Sequence, residues 1–311
     1  MDIPKPKIRF YKVRTFSEKI SVSFDFIREN LRLLLKFSFF LILPLCLVQS
    51  FFLNAYMQSY FALLGNGSTG MVANISSVFL SYGLMSVCML VGNILLSAML
   101  FGLIQTYERR TTRLTGLTLS EFKPLLLQNC AKAARIVFFF LGISMLAFGI
   151  LALLALLSLW TLLVTIPLLL VAMCVFMTPC SLMTPIYLFE DRPFMPALNK
   201  AIKYGFAAWG EIFLVLLVFG LLSSIISGVT TIPWYLLTLI SAFFSMNDPE
   251  ASLNTALWHQ LLSWLLGIIQ SYGTYLASIL VSTGIAFQYF HLREKREGIT
   301  MQADISNFDR L

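Results

Sequence analysis

The sequence predicts an all-α, polytopic membrane protein of six transmembrane helices, with an amphipathic helix ahead of the first, third and fifth. Three observations predict it: long apolar runs nearly free of charge, Lys and Arg confined to alternate connections, and helical periodicity in the segments leading into the odd-numbered spans. At 58% hydrophobic and 12% charged residues, the chain lies far from soluble domains, which average about 45–50% apolar and about 25% charged. A helix needs about 20 apolar residues to cross a hydrocarbon core of about 30 Å.

The runs that meet this requirement are Leu33–Asn54, Val78–Ile104, Ile136–Leu157, Leu162–Leu188, Ile212–Phe244 and Leu257–Phe290. The fifth contains "GVTTIPW", where Pro233 lacks the N–H of a helix interior, so this run is expected to span once and end as a short re-entrant or interfacial piece. The sixth would measure about 50 Å as one helix, which requires tilt, a kink near "SYGTY" or projection beyond the bilayer.

The basic residues test the count. With the N-terminus inside, nine Lys/Arg lie up to Lys36 at the start of span one. Six more lie between spans two and three, three between four and five, and four after six, which accounts for all 22. The expected topology is a multi-pass inner-membrane protein with both termini cytoplasmic. Residues 1–15 and 293–311 are expected as tails around one membrane domain over 16–292. The only acids expected outside are Asp248 and Glu250. The net charge of +7 fits anionic lipid headgroups beside the spans. It does not point to nucleic acid, because no folded basic domain carries it.

Ahead of span one, Phe16, Ile20, Phe24, Ile27 and Leu31 recur at helical spacing against Glu18, Asp25, Glu29 and Arg32. This stretch is expected along the inner surface. Ahead of span three, "TLSEFKPLLLQNCAKAAR" offers Ser120 as a cap and Pro124 in the first turn. Ahead of span five, Asp191 is the expected cap and Pro193 the start, with Phe194, Leu198, Ala201, Ile202 and Trp209 opposite Lys200 and Lys203. Three helix-hairpin units result, without residue-level repetition. In span four, Pro167, Pro179 and Pro185 each remove a backbone donor and kink the helix, as Pro233 does in span five. Thr178 and Thr184 are expected to bond back to the freed carbonyls.

Several chemistries are missing. His259 and His291 sit at opposite ends of span six, so no joint metal site forms, and His259 near Asp248 and Glu250 lacks a nucleophile. "GNGSTG" lacks the Lys of a phosphate loop. The triplets at Asn66 and Asn74 read as turn chemistry. Cys46, Cys88, Cys130, Cys174 and Cys180 show no CxxC pairing and are expected to be free. No ionisable residue lies in the middle of a span, which disfavours proton coupling. Catalytic residues, metal ligands and cofactors are therefore not expected. Gly267, Ser271, Thr274, Ser278 and Ser282, with Ala98 and Gly102, are spaced for close helix packing. Asn93, Gln49, Gln270 and Gln288 are expected to bond between helices.

The stretch "TPIYLFEDRPFMPALNKAIKYGF", followed by "WGEIF", and the entry helix "SFDFIRENLRLLLKFSFFLILP" resemble the bacterial membrane domain often fused to glycerophosphodiester phosphodiesterases, and related stand-alone membrane proteins. Pro179, Pro185, Glu190, Ala197, Leu198, Ala201 and Lys203 occupy matching roles. The resemblance implies a layout and not hydrolysis, since the catalytic histidines and metal-binding carboxylates of the phosphodiesterase are not in this sequence.

The functional expectation is a non-enzymatic scaffold or accessory subunit that engages a membrane-protein partner and anionic lipid through Arg28, Arg32, Lys36, Lys132, Arg135, Lys200 and Lys203. The alternative is a transporter or lipid-handling protein with a groove at Thr178, Ser181, Thr184 and Ser271. The sequence leaves the oligomeric state open.

Overall fold

A computed structural model describes residues 6–65, 71–111, 113–157, 159–247 and 257–300. Asn66, Asp248 and Glu250, and the side chain of Asn74, lie outside the described residues. Among those described the chain is helical, with eight helices: α1 (Phe16–Gly65), α2 (Met71–Arg109), α3 (Leu119–Leu157), α4 (Leu159–Cys180), α5 (Met183–Phe189), α6 (Phe194–Ala207), α7 (Trp209–Asn247) and α8 (Leu257–Glu297). Six stretches are long and apolar enough to cross a membrane, with α4 and α5 together forming the fourth.

The amphipathic stretches ahead of spans one and three do not form separate surface helices. They run without interruption into α1, of 50 residues, and α3, of 39. Only α6, of 14 residues, stands alone. Helix continuation satisfies the backbone hydrogen bonds that a separate surface helix would leave open at its end.

The start of α1 at Phe16 is the expected one, whereas the cap of α3 differs. Two Thr-x-x-Glu boxes set them. Thr15 N–H donates to Glu18 Oε2 at 2.8 Å while Glu18 N–H reaches Thr15 Oγ at 3.4 Å. Ahead of α3 it is Thr118, not Ser120, whose Oγ accepts from the Glu121 N–H at 3.5 Å. Pro233 does not end its helix, and α7 continues through it to Asn247. Membrane helices tolerate such a proline where neighbouring groups re-satisfy the backbone. Likewise α8 shows no break at Ser271–Tyr275.

The chain divides into two compact units. One comprises residues 1–31, 97–219 and 281–311, and the other 32–96 and 220–280. In the second unit α8 is the packing axis. Gly267 lies against Ser50 of α1 and Gly273 against Thr230 of α7, so closely that a Cβ at either would overlap the neighbouring side chain. Polar ties reinforce this contact. Tyr275 OH donates to Gln49 Oε1 at 2.7 Å, Trp234 Nε1–H to Asn54 Oδ1 at 3.2 Å, and Ser50 Oγ to the Trp264 carbonyl at 2.7 Å. Leu53, Met85 and Trp234 form its buried apolar centre.

In the first unit α3 and α4 pack on each other and on α5 and α6. In the most apolar windows of α3 and of the α4–α5 stretch only 6% and 11% of residues are buried, so little of these windows is covered by the rest of the described chain. Gly142 on α3 faces open space.

That contrast is testable. Gly273→Ala should lower the melting temperature, since overpacking a tight contact costs about 1–3 kcal/mol. Gly142→Ala should be neutral or stabilising by up to about 1 kcal/mol. Tryptophan-fluorescence melts in detergent distinguish the two, and equal effects would contradict the packing described.

Candidate functional site

The first unit contains a buried polar junction, and its starting point is the proline-rich end of span four. Pro179 has no N–H to offer the Val175 carbonyl four residues back. Thr178 does not replace it, because its hydroxyl donates to Cys174 O at 2.9 Å. The indole N–H of Trp209, at the start of α7, donates to Val175 O at 3.1 Å instead.

The helix then closes through a tight turn, with Leu182 N–H donating to Pro179 O at 3.2 Å, and restarts as α5 with Pro185 in its first turn, where no donor is required. By contrast Pro167 lies inside α4 without ending it. Gly205 of α6 rests on Pro179, in a space that a Cβ would share with the proline's own backbone. The buried face of α6 is thus its small one, Ala197, Ala201 and Gly205. Its larger residues Met195 and Phe206 stay exposed.

This fold places Glu190, at the end of α5, in the interior. Its carboxylate is 4% exposed. Lys200 Nζ of α6 donates to both its oxygens at 2.7 and 2.8 Å, and Tyr289 OH of α8 donates to Oε1 at 3.0 Å. Arg192 Nε lies 2.8 Å from Oε2. Lys200 also contacts Glu297 Oε1 at 2.5 Å, and Arg293 Nε donates to Glu297 Oε2 at 3.0 Å. Arg293 Nη1 further reaches the hydroxyls of Tyr11 and Tyr289, at 2.9 and 3.0 Å. Tyr204 OH donates to Glu297 Oε1 at 2.8 Å.

Burial, followed by the Glu297 hydrogen bond, raises the Tyr204 phenol to about 12. Burial, followed by the charge of Glu108, does the same to Tyr11. Both phenols therefore remain protonated donors at neutral pH.

A second cluster centres on Glu211 of α7. Lys19 lies 3.2 Å from Oε2 and Lys295 3.2 Å from Oε1, while Lys19 also donates to Gln288 Oε1 at 2.8 Å. His291 Nδ1 accepts the Arg14 N–H at 3.0 Å, which leaves the neutral ring's proton on Nε2, 3.3 Å from Glu211 Oε2.

The N-terminal segment, expected as a tail, is built into this unit. Lys7 Nζ donates to the carbonyls of Glu108 and Arg110 at 3.0 and 2.8 Å, satisfying orphan acceptors at the end of α2. Phe10 is buried against Phe26, Tyr107, Phe287 and Phe290.

The sequence-predicted residues are therefore sorted. Lys200 is enclosed and does not offer its charge outward. Lys132 is half-buried and pairs with Asp191 at 3.1 Å. Asp191 does not serve as the expected cap, because α6 begins at Phe194 and Pro193 occupies the cap position. Arg135 is exposed and donates to Tyr187 OH at 3.0 Å. Arg28, Arg32, Lys36 and Lys203 are exposed.

In the expected groove, Thr178 is buried, Ser181 Oγ donates to Thr178 O at 2.7 Å, and Thr184 is half-buried. Ser271 lies in the second unit and bonds to Gln270. Two of the four expected interhelical amides act as such, Gln49 and Gln288, whereas Asn93 and Gln270 bond locally. Tyr289, Arg293 and Glu297 were missed, although their spacing of four on one helix face was a usable signal. All five cysteines are free.

The second unit carries a cavity of about 520 Å3 lined by Phe51, Asn54, Gln58, His259, Ser263 and Trp264 among others. Beside it Ser241 Oγ donates to Leu237 O at 2.7 Å and lies 2.5 Å from His259 Nε2. The pair ties α7 to α8. No family model, curated protein or solved structure matches the chain.

Two substitutions probe the junction. Glu190→Gln leaves Lys200 and Arg293 undercompensated and should destabilise by about 3–5 kcal/mol. Trp209→Phe strands the Val175 carbonyl and should cost about 1–3 kcal/mol. Thermal melts of the purified variants check both, and wild-type stability in either would refute its contact.

Proposed function

We propose that this protein is a non-enzymatic membrane scaffold or accessory subunit that engages a membrane-protein partner and anionic lipid at a basic, cytoplasmic face. The observation that carries the reading is the division of labour among its charges. Glu190, Glu211 and Glu297 hold Lys19, Lys200 and Arg293 in internal clusters, which fixes the surrounding helices. Arg28, Arg32, Lys36 and Lys203 remain exposed, beside apolar surface suited to lipid. Basic residues near a membrane surface attract anionic headgroups by about 1 kcal/mol each, and their one-sided distribution supports an inner membrane with both termini inside. The layout resemblance to membrane domains of the phosphodiesterase-fused type is part of this proposal and agrees with a role that needs no chemistry of its own.

A lipid-handling or transport role has one observation in its favour, the cavity of about 520 Å3 in the second unit. The span-four groove gains no comparable support, because Thr178 and Ser181 direct their hydroxyls to their own helix backbone.

Extraction in polymer nanodiscs, followed by quantitative mass spectrometry of lipid and protein, tests the proposal. The expected result is enrichment of anionic lipid or a stoichiometric protein partner, reduced in the R28Q/R32Q/K36Q/K203Q variant. Bulk lipid composition with no partner would refute it.

A further inference from the structure

Arg135 differs from every cation of the junction. It stands at the boundary where α3 becomes uniformly apolar, immediately before Ile136. The residue is exposed, and among the described residues its guanidinium donates to a neutral group, the Tyr187 hydroxyl, at 3.0 Å. Among the described residues no carboxylate forms an ion pair with it. A guanidinium has five donors in a planar fork suited to phosphate oxygens, so most of this one's capacity is unspent.

Lys132 lies one turn earlier on the same helix face. Its ammonium sits 5.9 Å above the Tyr187 ring and holds only Asp191, whose side chain is 85% exposed and readily solvated. The floor beneath is closely packed: Tyr187 is buried and packs edge-on against Phe194 at 5.4 Å, which packs on Phe139 at 5.0 Å. Following the helix into the membrane, the face below Arg135 exposes Phe138 and Met145, a track of the kind an acyl chain covers.

We propose that Arg135 and Lys132 clamp the phosphate of an anionic phospholipid, with Tyr187 orienting the guanidinium and the acyl chains running along Phe138 and Met145. This site rests on the lipid-engagement reading above and gives it an address. Asp191 is the competitor. It shares Lys132 with the phosphate and, being solvent-exposed, can release it to the lipid.

The test is native mass spectrometry of the full-length protein released from nanodiscs of phosphatidylcholine doped with phosphatidylglycerol. Arg135→Gln should lower phosphatidylglycerol retention about 5-fold, the equivalent of roughly 1 kcal/mol per basic contact. Arg135→Lys should lower it partially, because the fork is lost while the charge remains. Asp191→Asn should raise retention by freeing Lys132. Lys123→Gln, an equal charge change elsewhere on α3, should leave it unchanged.

Wild-type preference for phosphatidylglycerol that survives both Arg135 substitutions, with Asp191→Asn inert, overturns the clamp while leaving the proposed function standing. A wild-type protein with no preference between the two lipids overturns both.

Discussion

A carboxylate at the end of an apolar helix must either reach water or be compensated where it stands, and Glu190 is compensated. Its 4% exposure makes Lys200, Tyr289 and the guanidinia of Arg192 and Arg293 part of the fold of its unit. These partners come from α6, α8 and the connection between α5 and α6. The same constraint draws Tyr11 of the N-terminal segment to Arg293. Burying charge is expensive unless every lone pair and proton has a partner, so satisfying this one carboxylate positions elements far apart in the chain.

The proline-rich segment brings Glu190 to that position. Pro179 has no donor for the Val175 carbonyl, and the Trp209 indole satisfies it instead. Gly205 lets α6 return directly over the break. The result is a short α5 and an α6 whose small residues face inward and whose larger ones face outward. Backbone satisfaction, close packing and charge compensation thus meet in one short segment.

Much of the architecture was legible because its signals are local or cumulative. Span length follows from the apolar runs, and the inward packing of Gly267 follows from its spacing among small residues. The polar junction was not legible, since Tyr11 and Arg293 are 282 residues apart and no spacing rule connects them. Where the sequence suggested Asp191 as a helix cap, α6 begins later, at Phe194, with Pro193 in the cap position. Thr15 and Thr118 could have been found from their Thr-x-x-Glu boxes. The sorting of Lys200 from Arg135 could not, because both are basic residues beside a span and differ only in which carboxylates the fold brings near.

The central claim is that Glu190 and Lys200 act together as the compensating core of their unit. A double-mutant cycle with Glu190→Gln, Lys200→Met and the combined variant, read as unfolding free energies in detergent, measures this directly. The account predicts a coupling of at least about 1 kcal/mol, with the double variant more stable than the sum of the single losses requires. Strict additivity of the two losses would contradict it.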